Sequence, residues 1–76
     1  MALKYSLNWA VGQVVQMPRA YLSVSPCGAY NAFAKPYRNH FILAVVENGK
    51  FDFADGINLA EVQAIRNAIE AQMVAA

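Results

Sequence analysis

The chain has 76 residues, of which 58% are hydrophobic and 14% are charged, and its formal net charge is +1. A chain of this length has room for one folded unit, so we expect residues 1–76 to form a single domain. The high apolar and low charged content excludes a disordered protein. In so small a domain, part of the apolar surplus reaches the surface, where it commonly marks a contact with another molecule.

Nothing in the sequence predicts a membrane protein or a secreted one. The longest apolar run, residues 41–46, is far shorter than the roughly 20 residues that cross a bilayer. Residues 1–6 lack the continuous apolar stretch of a signal peptide. A single cysteine, Cys27, agrees with a reducing compartment. We therefore expect a cytoplasmic protein without a membrane partner.

The first half of the chain predicts three short strands. Residues 3–11 alternate between apolar and polar side chains, which is typical of a half-buried β-strand. Residues 20–25 alternate in the same way, and residues 29–34 are a further candidate strand. The breaks between these segments fall at prolines and a glycine, namely Pro18, Pro26, Gly28 and Pro36.

The second half predicts a hairpin, because Asn48-Gly49 lies between two apolar stretches and is the strongest short signal for a two-residue turn. Strands at 40–47 and 50–54 follow from it. Since side chains alternate between faces, strand 40–47 is apolar on both sides. One side carries Ile42, Ala44 and Val46, together with Phe51 and Phe53 from the next strand, and the other carries Phe41, Leu43 and Val45.

The last predicted element is a helix over residues 58–74, in which Asn58 caps the amide of Glu61. Its apolar positions recur at three- and four-residue steps and form one stripe, which packs on the sheet. The stripe consists of Leu59, Val62, Ile65, Ile69 and Met73.

These elements predict an α+β fold in which an antiparallel β-sheet of four or five strands packs on one C-terminal α-helix. A single helix covers one face of the sheet, so Phe41, Leu43 and Val45 on the second face need another cover. Trp9, Tyr21 or the segment 26–37 would provide it internally. The alternative is a partner, either a second copy in a sheet-to-sheet dimer or another protein.

No residue pattern predicts catalysis. Cys27 and His40 are the one pair that suggests a nucleophile and its base, but no cysteine-protease signature surrounds them. Asp52 and Asp55 are better explained as solvated charges of the hairpin. The acids, the histidine and the cysteine lack metal-ligand spacing, and the glycines are isolated rather than grouped in a phosphate-binding loop. We expect no catalytic residue, no metal site and no cofactor.

Cations and aromatic side chains are interleaved over residues 19–41, and residues 1–46 contain no acid at all. Such a composition suits protein contacts, because tyrosine and arginine dominate binding hot spots. It also suits single-stranded nucleic acid, since cations bind phosphates and aromatic rings stack on bases. Alternatively, the aromatics fill the core. The candidate partner-binding residues are Arg19, Tyr21, Tyr30, Phe33, Lys35, Tyr37 and Arg38.

In overall form, the hairpin at 45–52 and the capped helix at 58–74 resemble small accessory proteins of bacteriophages and mobile elements, including anti-CRISPR inhibitors. Those proteins are short α+β domains that block a larger host machine by occupying one of its surfaces. The resemblance implies a stoichiometric inhibitor or adaptor of a larger protein or nucleoprotein complex. Nucleic-acid binding and homo-oligomeric assembly remain as alternatives. No site residue carries over, because that class shares no motif.

Overall fold

The computed structural model describes residues 5–74 and confirms the α+β class. Four antiparallel strands form one sheet in the order β2-β1-β3-β4. Two helices flank them in the chain, so the element order is α-β-β-β-β-α rather than strands followed by one helix. The elements are α1 (Leu7–Val14), β1 (Arg19–Val24), β2 (Tyr30–Phe33), β3 (Phe41–Glu47), β4 (Lys50–Phe53) and α2 (Leu59–Val74).

The strand predicted over residues 3–11 is wrong, because Leu7–Val14 form a helix; residues 3 and 4 lie outside the described residues. The helix begins where the Ser6 side chain accepts a hydrogen bond from the backbone N–H of Trp9, at 3.1 Å. Its buried side chains, Ala10, Val11 and Val14, have helical spacing. The Trp9 side chain, which a strand would turn inward with Val11, is 41% exposed.

The predicted hairpin is confirmed, with β3 paired to β4 so that Val46 lies opposite Phe51. Asn48 and Gly49 have φ angles of 52° and 79°. Positive φ at both central residues is the geometry of the type I′ turn, whose twist matches that of the flanking strands. The turn fixes the register of the two strands.

Replacing Gly49 with alanine should lower the free energy of unfolding by about 1 kcal/mol, because a side chain destabilises the left-handed backbone there. The cost is conformational, since a Cβ at Gly49 would meet nothing within 4 Å. Gly12→Ala is the matched control. A Cβ at Gly12, inside α1, would come no closer than 3.7 Å to Gln72, so this change should stabilise the protein by about 0.5–1 kcal/mol. Equal effects in thermal unfolding would contradict the turn geometry.

A β-bulge corrects the predicted faces of β3. Leu22 lies opposite Ala44, but its neighbour Ser23 lies opposite Ile42, so Leu43 is the extra residue in the ladder. Leu43 joins Ala44 in the core and is 0% exposed. The bulge moves Phe41 to the helix side of the sheet and Ile42 to the other side, because a shift of one residue inverts the alternation of side chains.

The prediction that Phe41, Leu43 and Val45 form the second face is therefore wrong for two of the three. Leu43 is in the core, and Phe41 lies opposite Val24, which packs against the core on the helix side. Phe41 is nevertheless 51% exposed, because it lies at the end of the strand. Val45 does lie on the second face, and Ile42 joins it there.

The core between the helices and the sheet is aliphatic. It contains Leu22, Leu43 and Val46 from the sheet and Val11 and Ile65 from the helices, all at most 1% exposed. Every aromatic residue of the chain lies within residues 5–74, and none of them is fully buried. Tyr30, Phe51 and Phe53 pack against this core but remain half-buried.

The predicted cap of α2 is confirmed, because the Asn58 side chain accepts a hydrogen bond from the Glu61 backbone N–H at 2.8 Å. Ile65 and Ala68 face the core, with Ile69 packed beside them. Leu59 does not extend the stripe as predicted, since its side chain is 82% exposed in the first turn. The side chain of Met73, the last residue of the stripe, lies outside the described part of the structure.

Candidate functional site: the open sheet face and its crossover loop

The sheet order creates an unusual connection over the face that the helices leave uncovered. β2 and β3 are both antiparallel to β1 and lie on its two sides, so they run parallel to each other. The chain must therefore return from Phe33, opposite Tyr21, to Phe41, opposite Val24. Residues 34–40, which we name the crossover loop, make this return across β1.

The side chains of the crossover loop show which face it crosses. The alternation of β1 puts Tyr21 and Ser23 on the face away from the helices, which we name the open face. His40 Nδ1 lies 3.3 Å from Ser23 Oγ on that face. The loop covers Ser23 completely, since this side chain is 0% exposed.

Three rings of the loop and the neighbouring strand form one cluster, which we name the aromatic cluster and define as Phe33, Tyr37 and His40. Phe33 and Tyr37 are stacked, with ring centroids 4.8 Å apart and planes at 14°. His40 meets both rings edge-on, at 5.0 Å from Phe33 and 4.9 Å from Tyr37. Both arrangements are favoured by the ring quadrupoles.

A tight turn inside the crossover loop brings two of these rings together. The His40 backbone N–H donates to the Tyr37 carbonyl at 3.3 Å, and Asn39 between them has a φ of 68°. Asparagine tolerates this left-handed conformation better than most residues do. The first and last residues of such a turn project close together, so the turn places Tyr37 beside His40.

Beyond the crossover loop, the open face presents a shallow apolar floor with charges around it. The floor consists of the half-buried side chains Tyr21, Ile42 and Val45. Arg19 Cζ lies 5.9 Å from the Tyr21 ring centroid, within the range of a cation–π contact. The register adds the exposed side chains of Glu47, Lys50 and Asp52 to this face.

The structure brings most of the predicted partner-binding residues together. Tyr21 and Phe33 are opposite each other on the open face, with Arg19 over Tyr21. Tyr37 is 58% exposed, and Lys35 and Arg38 are exposed in the crossover loop.

Tyr30 is the exception, because it lies opposite Val24 and packs against the core on the helix side. Sequence reasoning missed the pairing of His40 with Ser23. The only sequence signal is a lone histidine at the start of a strand, which does not identify the residue that it contacts.

The described residues offer limited chemistry of other kinds. Within residues 5–74, no group of three His, Cys, Asp or Glu side chains is placed to hold a metal ion. In the same part of the chain, every buried side-chain nitrogen or oxygen has a hydrogen-bond partner. Cys27 is exposed in the loop between β1 and β2, with its Sγ 3.0 Å from Ser25 Oγ. None of the helices described here is long and apolar enough to cross a bilayer.

Comparisons of the chain with protein-family models, with curated proteins and with solved structures found no match. The functional argument therefore depends on the physical character of the open face and the crossover loop.

Proposed function

We propose that this protein is a non-enzymatic binding protein, a stoichiometric inhibitor or adaptor that occupies a surface of a larger protein or nucleoprotein complex. It makes this contact through the open face and the crossover loop. The observation that carries the proposal is the placement of the aromatic residues: none within residues 5–74 is fully buried, and three of the candidate binding residues, Tyr21, Phe33 and Tyr37, lie on this one surface.

An exposed aromatic ring leaves unused the apolar burial that would stabilise a small domain. Burying a large side chain contributes about 1.5–3 kcal/mol, and this chain buries aliphatic residues instead. Tyr37 is 58% exposed although its ring stacks on Phe33. Tyrosine and arginine side chains dominate binding hot spots, and Arg38 follows Tyr37 in the chain.

The inhibitor or adaptor role is supported by the resemblance to phage and mobile-element accessory proteins, including anti-CRISPR inhibitors. Proteins of that class act by occupation, and the crossover loop offers a surface for it. Occupation needs no catalytic group, which suits a surface built from rings and cations.

Replacing Tyr37 and Arg38 together with alanine should weaken partner binding by at least about tenfold, because hot-spot truncations cost more than about 1 kcal/mol each. The fold should survive, because both side chains are exposed. The measurement is affinity capture from nuclease-treated lysate of the native cells at low and high salt, followed by mass spectrometry. Affinity for the captured protein is then measured with each variant.

The matched control removes the same residue types from the helix side. Tyr5 stacks on Trp9 of α1, and Arg66 of α2 lies 5.4 Å over the Phe53 ring, so Tyr5→Ala/Arg66→Ala leaves the open face intact. This variant should bind normally. Unchanged affinity in a folded Tyr37→Ala/Arg38→Ala protein would remove the open face from the proposal. Recovery of nucleic acid alone, or of further copies of this chain alone, would replace the proposal by one of the two alternatives.

A further inference from the structure

The charges of the open face are balanced at one end and unbalanced at the other. At the hairpin end, the register places Glu47 between Arg19 and Lys50 on neighbouring strands. At the other end, Lys35 and Arg38 are exposed in the crossover loop, and no acid occurs anywhere in residues 19–46. The crossover loop is therefore positively charged, and residues 19–46, which include it, contain no acidic side chain to neutralise it.

This positive charge lies next to apolar surface. Tyr37 separates the two cations in the sequence and is 58% exposed. The floor of Tyr21, Ile42 and Val45 is half-buried. Tyr21 lies between Phe33 and Val45 on the neighbouring strands, so the apolar surface extends from the aromatic cluster across the sheet. A ligand that complements this surface needs carboxylates for the loop and at least one apolar side chain for the ring and floor.

We propose that the crossover loop binds an acidic segment of a partner protein, in which glutamate or aspartate side chains contact Lys35 and Arg38 and an apolar side chain packs against Tyr37. This inference rests on the proposed function and names the chemistry of the partner. Guanidinium groups bind carboxylates through two parallel hydrogen bonds, so Arg38 contributes direction as well as charge.

A single strand of nucleic acid fits the same surface less well. Such a ligand needs several free ring faces in a row. Here Tyr37 has one face against Phe33, while the Tyr21 ring has Arg19 over it. A phosphate chain continuing over the floor would reach the hairpin end, where the charges of Arg19, Glu47, Lys50 and Asp52 cancel and offer it no net attraction.

The test is an NMR titration of the full chain with a short capped peptide that has glutamates on both sides of a Leu-Phe pair. We expect the backbone amide signals of residues 33–35, of residues 37–40 and of Tyr21 to shift. A peptide with glutamines in place of the glutamates should shift them far less. Lys35→Glu/Arg38→Glu should lower the affinity for the acidic peptide by at least about tenfold, because it reverses both contacting charges.

The control compares Arg38→Glu with Arg66→Glu, which reverse one arginine each; Arg66 belongs to α2 and lies over the Phe53 ring, on the side away from the open face. Arg66→Glu should retain peptide binding. If the charge reversal in the loop prevents folding, Lys35→Gln/Arg38→Gln provides the same comparison. Equal shifts with the glutamine peptide, equal losses in the two arginine variants, or tighter binding of oligothymidylate at the same amides would overturn the inference.

The two proposals fail in different ways. If capture of a partner depends on Tyr37 and Arg38 but is insensitive to salt, and the acidic peptide does not bind, the acidic-segment inference is wrong and the binding function stands. If the peptide binds the crossover loop while capture from lysate is the same for wild type and Tyr37→Ala/Arg38→Ala, the proposed function of this face is wrong.

Discussion

Leu43→Ala is expected to lower the free energy of unfolding by about 3 kcal/mol, because it removes a fully buried side chain and leaves a cavity. Leu43 is 0% exposed and belongs to the buried core, whose residues come from both helices and the sheet. A domain of this size has only roughly 4–11 kcal/mol of total stability, so a loss of that size should be plain in urea unfolding followed by circular dichroism.

Leu59→Ala is the matched control, since it makes the same change at a leucine that is 82% exposed. Its effect should stay within about 0.5 kcal/mol. The sequence alone places Leu43 on the second face, and one of the covers considered for that face, a second copy of the chain, makes the loss of Leu43 affect self-association. A Leu43→Ala protein with wild-type stability and a smaller mass in solution would support that prediction and contradict the bulge.

The contrast between the two leucines shows how far local signals reach in the second half of this chain. Asn48-Gly49 determines the turn and the register of β3 with β4, and Asn58 determines the start of α2, so both are local and were predicted correctly. The bulge arises from the pairing of β3 with β1, where Ser23 skips to Ile42. No residue pattern within β3 marks it, and it inverts the faces of everything before it.

The strand prediction for the N-terminal segment is wrong for a different reason. The same residues fit both the two-residue repeat of a strand and the repeat of a helix. Leu7 and Val11 fit strand alternation as well as a helical repeat that continues to Val14. Packing against α2 and β2 decides between them, and that contact is invisible in the sequence. Ser6, which proved to be the N-cap, was the local signal that favoured a helix.

The candidate site was predictable in composition but not in shape. The interleaved rings and cations identified the chemistry of the crossover loop, yet its position depends on β1 lying between β2 and β3, which is a property of strand order. Tyr30 and Phe33 are three positions apart in β2, so the alternation of side chains places them on opposite faces of the sheet. The contact between Ser23 and His40 likewise depends on the path of the crossover loop, which places His40 over Ser23.

Ala10→Asp is expected to destabilise the protein by at least about 3 kcal/mol at neutral pH, because it places a carboxylate in the core without a partner. Ala10 is 0% exposed in the aliphatic cluster. A strand over residues 3–11 would instead place Ala10 on the polar side with Ser6 and Asn8, where aspartate is harmless. The variant therefore separates the helix from the predicted strand by unfolding or its absence, measured by circular dichroism and by NMR signal dispersion.

Ala64→Asp provides the control, because it is the same substitution in a helix at an exposed alanine of α2. It should cost less than about 1 kcal/mol, which is the difference in helix propensity alone. A large difference between the free energies of unfolding of the two variants would result from the burial of Ala10, because the helix-propensity cost of aspartate is common to both. If Ala10→Asp were no more destabilising than Ala64→Asp, α1 would not pack its Ala10 face on the sheet, and Ala10 would not belong to the aliphatic core.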